Sequence, residues 1–155
     1  MSSAGDINND GKSDVVVGAY FANVDIFRGQ AGKAYVVFGR AGPSFADVDT
    51  FSEPTSPLAM FRILGPQANS QLGWSVHRVG DCNGDGVSDL MIAANLGIHG
   101  ARTGAGIVYV VFGRKSLPFD TNIDTSAWTT HRDFGFAVGG ANSNDNAGRS
   151  VSAAG

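Results

Sequence analysis

Short apolar runs that end at glycine or a turn residue dominate the chain and predict β-strands. Residues 34–38 read Ala-Tyr-Val-Val-Phe and residues 108–112 read Val-Tyr-Val-Val-Phe, and strands favour such β-branched and aromatic residues. Residues 74–79 alternate between apolar and polar side chains, as half-buried strands do. No stretch of helical length keeps a 3.6-residue period free of glycine or proline. About eight strands are predicted, at residues 15–17, 34–38, 61–64, 74–79, 90–92, 108–112, 134–138 and 149–153.

The chain repeats itself at an interval of about 75 residues. Residues 5–19 match residues 80–94 at an offset of 75. Residues 32–40 match 106–114 at an offset of 74, and residues 61–76 match 136–151, again at 75. Because three separated matches share one register, the sequence predicts two copies of one unit, each with about four strands.

Four short strands per unit, with glycine at the turns, predict an all-β fold built from blades of a β-propeller. A stacked β-solenoid is the alternative, although its rungs are usually shorter than this period. Residues 41–57 and 116–130 are predicted to be long surface loops between the third and fourth strands. Their aromatic side chains are expected to anchor them, and a recognition surface is the alternative interpretation. These anchors are Phe45, Phe51, Phe119 and Trp128.

The strongest chemical signal is the pattern D-x-N-x-D-G-x-x-D, which occurs once in each repeat. Oxygen side chains at positions 1, 3 and 5 of such a loop converge on one cation, glycine at position 6 allows the sharp turn, and the carbonyl at position 7 adds a ligand. Several charged oxygen donors suit Ca²⁺ better than Mg²⁺. The predicted ligands of two calcium sites are Asp6, Asn8, Asp10, Lys12 (carbonyl) and Asp14, and Asp81, Asn83, Asp85, Val87 (carbonyl) and Asp89.

The residues around these loops do not fit an EF-hand. An EF-hand requires glutamate at position 12, where this chain has Val17 or Ile92 within an apolar run, and flanking helices are not predicted. A pair of metal-free Asx-turns between strands remains the alternative. Three carboxylates per loop repel one another without a counter-charge, which favours a bound cation.

Composition agrees with turns and metal loops in a chain with little helix. Glycine makes up 22 of the 155 residues, and Glu53 is the only glutamate among 14 acidic residues. The formal charge of −3 argues against a nucleic-acid partner. No apolar run approaches the ~20 residues of a membrane-spanning helix, and the first residues show no signal peptide, so membrane insertion by this chain is not expected.

Catalytic motifs are weak, so the chain is not expected to be an enzyme. No G-x-S-x-G nucleophile elbow occurs. Residues 100–106 are rich in glycine but lack the Lys-Ser/Thr of a phosphate loop and precede a strand, which predicts a hairpin loop.

The order of the motifs in each repeat resembles that of a known family. The order G-x-S-V, then the acidic loop, then an apolar run and Y-V-V-F-G resembles the FG-GAP repeat, and stands here at residues 73–76, 81–89 and 109–113. That repeat forms the seven-bladed β-propeller of integrin α subunits and recurs in bacterial surface and secreted proteins. Leu72-Gly73 and Ala147-Gly148 replace its Phe-Gly element.

The resemblance implies a division of the chain. Residues 1–72 would form one repeat, a blade lacking its first strand, and residues 73–146 a second, complete blade. Residues 147–155 would supply the first strand of a further blade. Two blades are fewer than any closed propeller, so the functional unit is expected to be larger than this chain.

The expected function is that of a calcium-binding, integrin-like propeller segment serving adhesion or protein interaction, with structural Ca²⁺. Its partners would be a protein ligand or neighbouring propeller blades. It would be located outside the cell or at the cell surface. The alternatives are an ancillary propeller module of a larger secreted hydrolase, and a homo-oligomer whose copies join head to tail into a propeller.

Overall fold

The computed structural model describes residues 1–42, 47–50, 59–115, 122–130 and 132–153. Within these ranges the chain forms nine β-strands and two short 3₁₀ segments, and no α-helix. The strands are β1 (Ser2–Gly5), β2 (Asp14–Ala19), β3 (Lys33–Val37), β4 (Met60–Leu64), β5 (Leu72–Gly80), β6 (Asp89–Ala94), β7 (Ile107–Val111), β8 (Asn122–Asp124) and β9 (Gly135–Gly139). The 3₁₀ segments are Thr125–Thr130 and Arg132–Phe134.

The strands form two sheets that repeat one plan. The first sheet has the order β1-β2-β3-β4-β8 and the second has the order β5-β6-β7-β9. Neighbouring strands are antiparallel, except that β8 is parallel to β4. In the first sheet Val36 pairs with both Val16 and Phe61, and in the second Val110 pairs with Met91 at the same repeat position. The predicted all-β fold, with two four-stranded antiparallel blades, is confirmed.

One hydrophobic core lies between the two blades. Each sheet contributes a single face to it, because alternate residues of a strand point to the same side. From the first blade the core takes Val16, Ala34, Val36, Phe61 and Ile63; from the second it takes Leu90, Ile92, Ile107, Tyr109 and Val111. These side chains are all 6% exposed or less, so the blades are held together chiefly by apolar burial.

The first blade has an inner strand that the sequence-based division left out. Ser2–Gly5 pairs with β2, with Ser2 opposite Val16 and Gly5 opposite Asp14. The same ladder joins His77 to Met91 in the second blade, 75 residues further on. Residues 2–5 therefore correspond to the end of β5, and the prediction that this blade lacks its first strand was wrong. The four residues of this strand include no strong strand former, so the sequence pattern did not reveal it.

Residues 149–153, predicted to be a strand, form none. Their counterpart in the repeat, β5, forms its ladder with β6, and no third copy of β6 occurs in this sequence. The segment nevertheless lies against the second blade: the Ser75 hydroxyl donates to the Gly148 carbonyl at 2.7 Å, and the Trp74 indole N–H donates to the Arg149 carbonyl at 3.2 Å.

Each blade is joined to the next segment through a close backbone approach that requires glycine. Gly32 has φ of +83°, and a Cβ at that position would lie 2.1 Å from the Leu72 carbonyl oxygen. Gly106 has φ of +79°, and its Cβ would lie 2.3 Å from the Ala147 carbonyl oxygen. A side chain at either position would push the two backbone segments apart, so these glycines set the path of the chain between blades.

The long segment after β7 contains more structure than a loop. Residues 122–124 form β8 on the outer edge of the first blade, and residues 125–130 follow as a 3₁₀ segment. Trp128 is the anchor that was predicted, since its ring contacts Tyr109 edge-on at a centroid distance of 5.1 Å. The other predicted anchors, Phe45, Phe51 and Phe119, lie outside the described residues.

Candidate metal loops

The two acidic loops occupy the same place in each blade, between the first and second strands. Residues 6–13 join β1 to β2, and residues 81–88 join β5 to β6. Asn9 and Gly84, which correspond in the repeat, have φ of +56° and +78°. Gly11 and Gly86 have φ of +84° and +86°. These left-handed positions turn the backbone around the loop centre, and asparagine and glycine are the residues that adopt them most readily.

In the first loop the acidic side chains hold the backbone that follows them. The two carboxylate oxygens of Asp6 accept hydrogen bonds from the N–H groups of Asp10 (2.9 Å) and Gly11 (2.8 Å). The Asn8 side-chain oxygen accepts from the same Asp10 N–H at 3.1 Å, and Asp10 Oδ1 accepts from the Lys12 N–H at 2.9 Å. The three side chains thus lie around one turn of backbone.

The second loop repeats this pattern. Asp81 accepts from the Asp85 N–H at 3.1 Å and from the Gly86 N–H at 2.8 Å. Asn83 Oδ1 accepts from Asp85 N–H at 3.0 Å, and Asp85 Oδ1 accepts from the Val87 N–H at 2.8 Å. The second loop adds one bond, from the Gly84 N–H to Asp81 at 2.7 Å. The four bonds that both copies share indicate that the sequence pattern dictates the loop conformation.

The acidic residue at position 9 has a different role in both loops. Asp14 is 1% exposed, and its two oxygens accept hydrogen bonds from the backbone N–H groups of Ile7 (2.9 Å) and Gly39 (2.8 Å). Asp89 is fully buried and is bound in the same way by Cys82 N–H (2.8 Å) and Gly113 N–H (2.9 Å). Each of these carboxylates ties its loop to the end of the third strand of the blade.

The structure therefore brings positions 1, 3 and 5 together and directs position 9 toward backbone N–H groups. Within the described ranges no three His, Cys, Asp or Glu side chains are arranged as a metal-binding group. A carboxylate oxygen that accepts one hydrogen bond keeps a lone pair for a further partner. Direct ligation by Asp14 and Asp89, and through the carbonyls of Lys12 and Val87, stays a prediction.

Asp14 is the most deeply buried carboxylate of the first loop, and burial shifts its pKa. Desolvation raises the pKa of Asp14, while the hydrogen bonds from Gly39 and Ile7 act to lower it. The nearby charges of Asp10 and Asp6 raise this pKa further, and the net direction is upward from the ordinary value. The carboxylates of Asp10 and Asp6 thus disfavour the ionised form of Asp14, and a cation in the loop would remove that penalty.

A lysine distinguishes the first loop from the second. Lys12 Nζ lies 3.3 Å from Asp10 Oδ2, whereas the second loop has the buried Val87 at this position. Burial acts to raise the pKa of Asp10, but hydrogen bonds from the Lys12 backbone N–H, Asn8 and the lysine ammonium outweigh it and the pKa falls below its usual value. In the second loop the Gly86 N–H is the main cause of a lowered pKa at Asp81.

The second position of the first loop belongs to the contact between the blades, which sequence reasoning missed. Ile7 is fully buried in the core, and its carbonyl accepts a hydrogen bond from the Arg114 N–H of the second blade at 2.9 Å. Its counterpart Cys82 is exposed, and its thiol donates to Asp89 Oδ2 at 2.9 Å. The sequence signal for this buried role was an apolar residue, Ile7, directly after an acidic one.

The donor set suits a hard cation. Each loop offers carboxylate and amide oxygens from three side chains within one backbone turn, and neither sulfur nor imidazole lies among positions 1, 3 and 5. Oxygen donors of this kind select Ca²⁺ or Mg²⁺ over softer metals, and a flexible, partly exposed loop favours Ca²⁺. The residues present therefore fit the implied metal.

Replacing Asp89 by asparagine should destabilise the chain even without any metal. Asparagine offers one acceptor oxygen and one NH₂ group, so the N–H of Cys82 or Gly113 would face a donor inside the protein. A buried donor left unsatisfied costs about 1–3 kcal/mol. Urea denaturation in chelator measures this loss. The exposed Asp85→Asn variant is the matched control and should change little; equal stability of Asp89→Asn and the parent chain would contradict this role.

Comparison with known proteins agrees with the repeat structure. The family described as FG-GAP repeat matches residues 2–37 and 72–111, which contain the two acidic loops and strands β1–β3 and β5–β7. No helix among the described residues is long and apolar enough to cross a membrane.

Curated relatives match most of the chain. It is 29% identical over 141 residues to integrin alpha-IIb of Mus musculus, covering 88% of this chain and 12% of that protein. It is 34% identical over 142 residues to phosphatidylinositol-glycan-specific phospholipase D of Rattus norvegicus, covering 89% and 16%. The chain thus spans less than a fifth of the length of these relatives. With two matched repeats folded as two successive blades, the chain is an FG-GAP repeat protein with an integrin α-like propeller fold.

Proposed function

We propose that the chain is a calcium-binding segment of a β-propeller that serves as a non-catalytic scaffold for protein interaction. The observation that carries this proposal is the duplicated loop: two copies of the same oxygen-rich turn share one hydrogen-bond pattern and one position in the blade. Chance would not conserve three donor positions, two left-handed backbone positions and their register in both copies.

The chain's own residues supply the framework of each site. Asp6 fixes its turn through two backbone N–H groups and Asp81 through three. The buried Asp14 and Asp89 fix each loop against its blade. When bound, Ca²⁺ supplies positive charge that neutralises the loop carboxylates and bonds that join several loop positions. The loop then holds the first two strands of the blade in register, which is a structural role.

Hydrogen exchange tests this role strand by strand. In excess Ca²⁺, the amides of residues 6–14 and of β2 should exchange more slowly than in chelator, and so should those of residues 81–89 and β6. The Asp10→Ala variant should lose this calcium-dependent protection in the first blade and keep it in the second, while Asp85→Ala should show the reverse. Exchange that does not respond to Ca²⁺ in either blade would overturn the proposal.

The interaction role and its location rest on similarity. The relatives named integrin alpha-IIb match 88% of this chain, so a surface or extracellular setting and a protein ligand are the proposed context. Ca²⁺ is abundant there, which suits loops with exposed carboxylates. Neighbouring propeller blades are the other proposed partner, because two blades leave outer faces that further blades would cover.

A second candidate is an ancillary propeller module of a larger secreted hydrolase. The observation that favours it is the 34% identity to a protein named as a phospholipase D. The coding sequence on either side of this segment separates the two candidates. A hydrolase domain on the same polypeptide would favour the module, whereas a membrane anchor without such a domain would favour adhesion.

A further inference from the structure

The first acidic loop contacts both blades through one residue. Ile7 lies between the predicted ligands Asp6 and Asn8 and is fully buried in the core that joins the blades. Its N–H donates to Asp14 Oδ2 of its own blade at 2.9 Å. Its carbonyl accepts from the Arg114 N–H of the second blade, also at 2.9 Å. The Ile7 backbone thus bonds to the first blade on one side and to the second blade on the other.

The two acidic loops meet at the residues that follow β7. The Gly113 N–H donates to Asp89 Oδ1 of the second loop at 2.9 Å, while the next N–H, that of Arg114, is bound by the first loop. A Cβ on Gly113 would lie 2.3 Å from the Ser88 carbonyl oxygen and 2.9 Å from that of Ile7. Both loops therefore contact this glycine, and a larger residue would displace one of them.

The residue that receives the Ile7 carbonyl is itself fixed within the second blade. The Arg114 guanidinium lies over the Phe134 ring, 3.7 Å from its centroid, and Nη2 donates to the Asp133 carbonyl at 3.3 Å. Phe134 packs in turn against the core between the blades. A shift of Ile7 would therefore act on a residue anchored at the start of β9.

The end of β1 makes a further contact with the second blade. Gly5 directly precedes the first loop, and a Cβ there would lie 2.4 Å from the Ser88 hydroxyl oxygen and 2.8 Å from Arg78 Cδ. Ser88 belongs to the second loop, and Arg78 to β5. Since the first loop begins and continues against the second blade, its conformation and the contact between the blades depend on each other.

We propose that the first loop, when it holds Ca²⁺, fixes the second blade against the first through the bond between Ile7 and Arg114. This inference rests on the proposed calcium site and extends its role from one blade to the contact between two. Asp6 and Asn8 flank Ile7, so ligation of both would immobilise the peptide groups that bridge the blades. The second loop acts on its own blade, through Asp89 and Gly113.

Hydrogen exchange at two adjacent amides tests this role. At a calcium concentration 100 times the dissociation constant, a local opening that releases the ion becomes about 100 times rarer. The Arg114 amide should therefore exchange about 10- to 100-fold more slowly in Ca²⁺ than in chelator, although it belongs to the second blade. Asp85→Ala should keep this slowing and Asp10→Ala should lose it. The neighbouring Gly113 amide should show the reverse.

The Val110 amide provides the reference for a change in global stability. Val110 lies within β7, pairs with strands on both sides and is three residues from Gly113. The slowing at Arg114 and Gly113 should exceed that at Val110. An Arg114 amide that follows the second site, or that ignores Ca²⁺ while residues 6–14 respond, would overturn this inference and leave the calcium sites standing. If residues 6–14 and 81–89 also ignore Ca²⁺, the proposed function fails with it.

Shortening the bridging side chain tests the same link from the first blade. Ile7→Ala keeps the predicted ligands and should still bind two Ca²⁺ by calorimetry, but the calcium response at Arg114 should fall to that of Val110. Ile7→Val should fold if the alanine variant does not, and it should show an intermediate response. The matched control is Cys82→Ala, at the corresponding exposed position of the second loop, which should keep the full response. Equal responses at Arg114 in the Ile7 and Cys82 variants would contradict the inference.

Discussion

Replacing Phe61 by alanine should cost the chain about 3–5 kcal/mol of unfolding free energy, the range typical of a buried phenylalanine. Phe61 is fully buried between the two blades, where its ring lies 5.8 Å from that of Phe38. Truncation would leave a cavity in the core that joins the blades, so both blades should lose stability together. Chemical denaturation followed by fluorescence measures the loss.

Phe136 provides the matched control for this change. It occupies the same repeat position in the second blade, but it is 47% exposed. The Phe136→Ala variant should therefore lose less than about 1 kcal/mol in dilute, monomeric protein, since an exposed side chain leaves no cavity. Equal losses for the two variants would contradict the placement of the core between one face of each blade.

The repeat made most of this fold predictable. Seven of the predicted strands form, each within one or two residues of its expected bounds or extended beyond them. Internal repetition gave the correspondence between the blades, and the ladders of Val36 and Val110 follow it. The acidic pattern predicted the loop as well, because aspartate and asparagine at positions 1, 3 and 5 bind the backbone within a few residues of themselves.

Features that depend on distant partners were not predictable from local pattern. Ser2–Gly5 becomes a strand only because β2 is available to pair with it. Residues 122–124 have too few strand formers for a pattern, and the edge of β4 and the charge of Arg28 determine their conformation. The buried role of Asp14 depends on the N–H of Gly39, which lies 25 residues away in sequence.

Calcium should raise the thermal stability of the chain, and each loop should contribute separately. At a calcium concentration 100 times the dissociation constant, a site bound only in the folded state adds about 2.7 kcal/mol. For a chain of this size, that corresponds to a rise of about 5–10 °C in melting temperature per site. The Asp10→Ala and Asp85→Ala variants should each lose about half of the total rise seen between chelator and excess Ca²⁺.

An acidic residue outside the loops separates this effect from a general change in charge. Asp145 is exposed and accepts a hydrogen bond from the Asn142 N–H. The Asp145→Ala variant should keep the full calcium-dependent rise in melting temperature. If it lost as much of that rise as Asp10→Ala or Asp85→Ala, net charge rather than a loop site would explain the response.

Titration calorimetry with Ca²⁺ tests the central claim most directly, since it counts the sites. The account predicts two Ca²⁺ bound per chain, one per chain in Asp10→Ala or Asp85→Ala, and none in the double variant. It also predicts that Asp145→Ala binds two. Absence of Ca²⁺ binding by the folded parent chain, or binding that survives in the double variant, would contradict it.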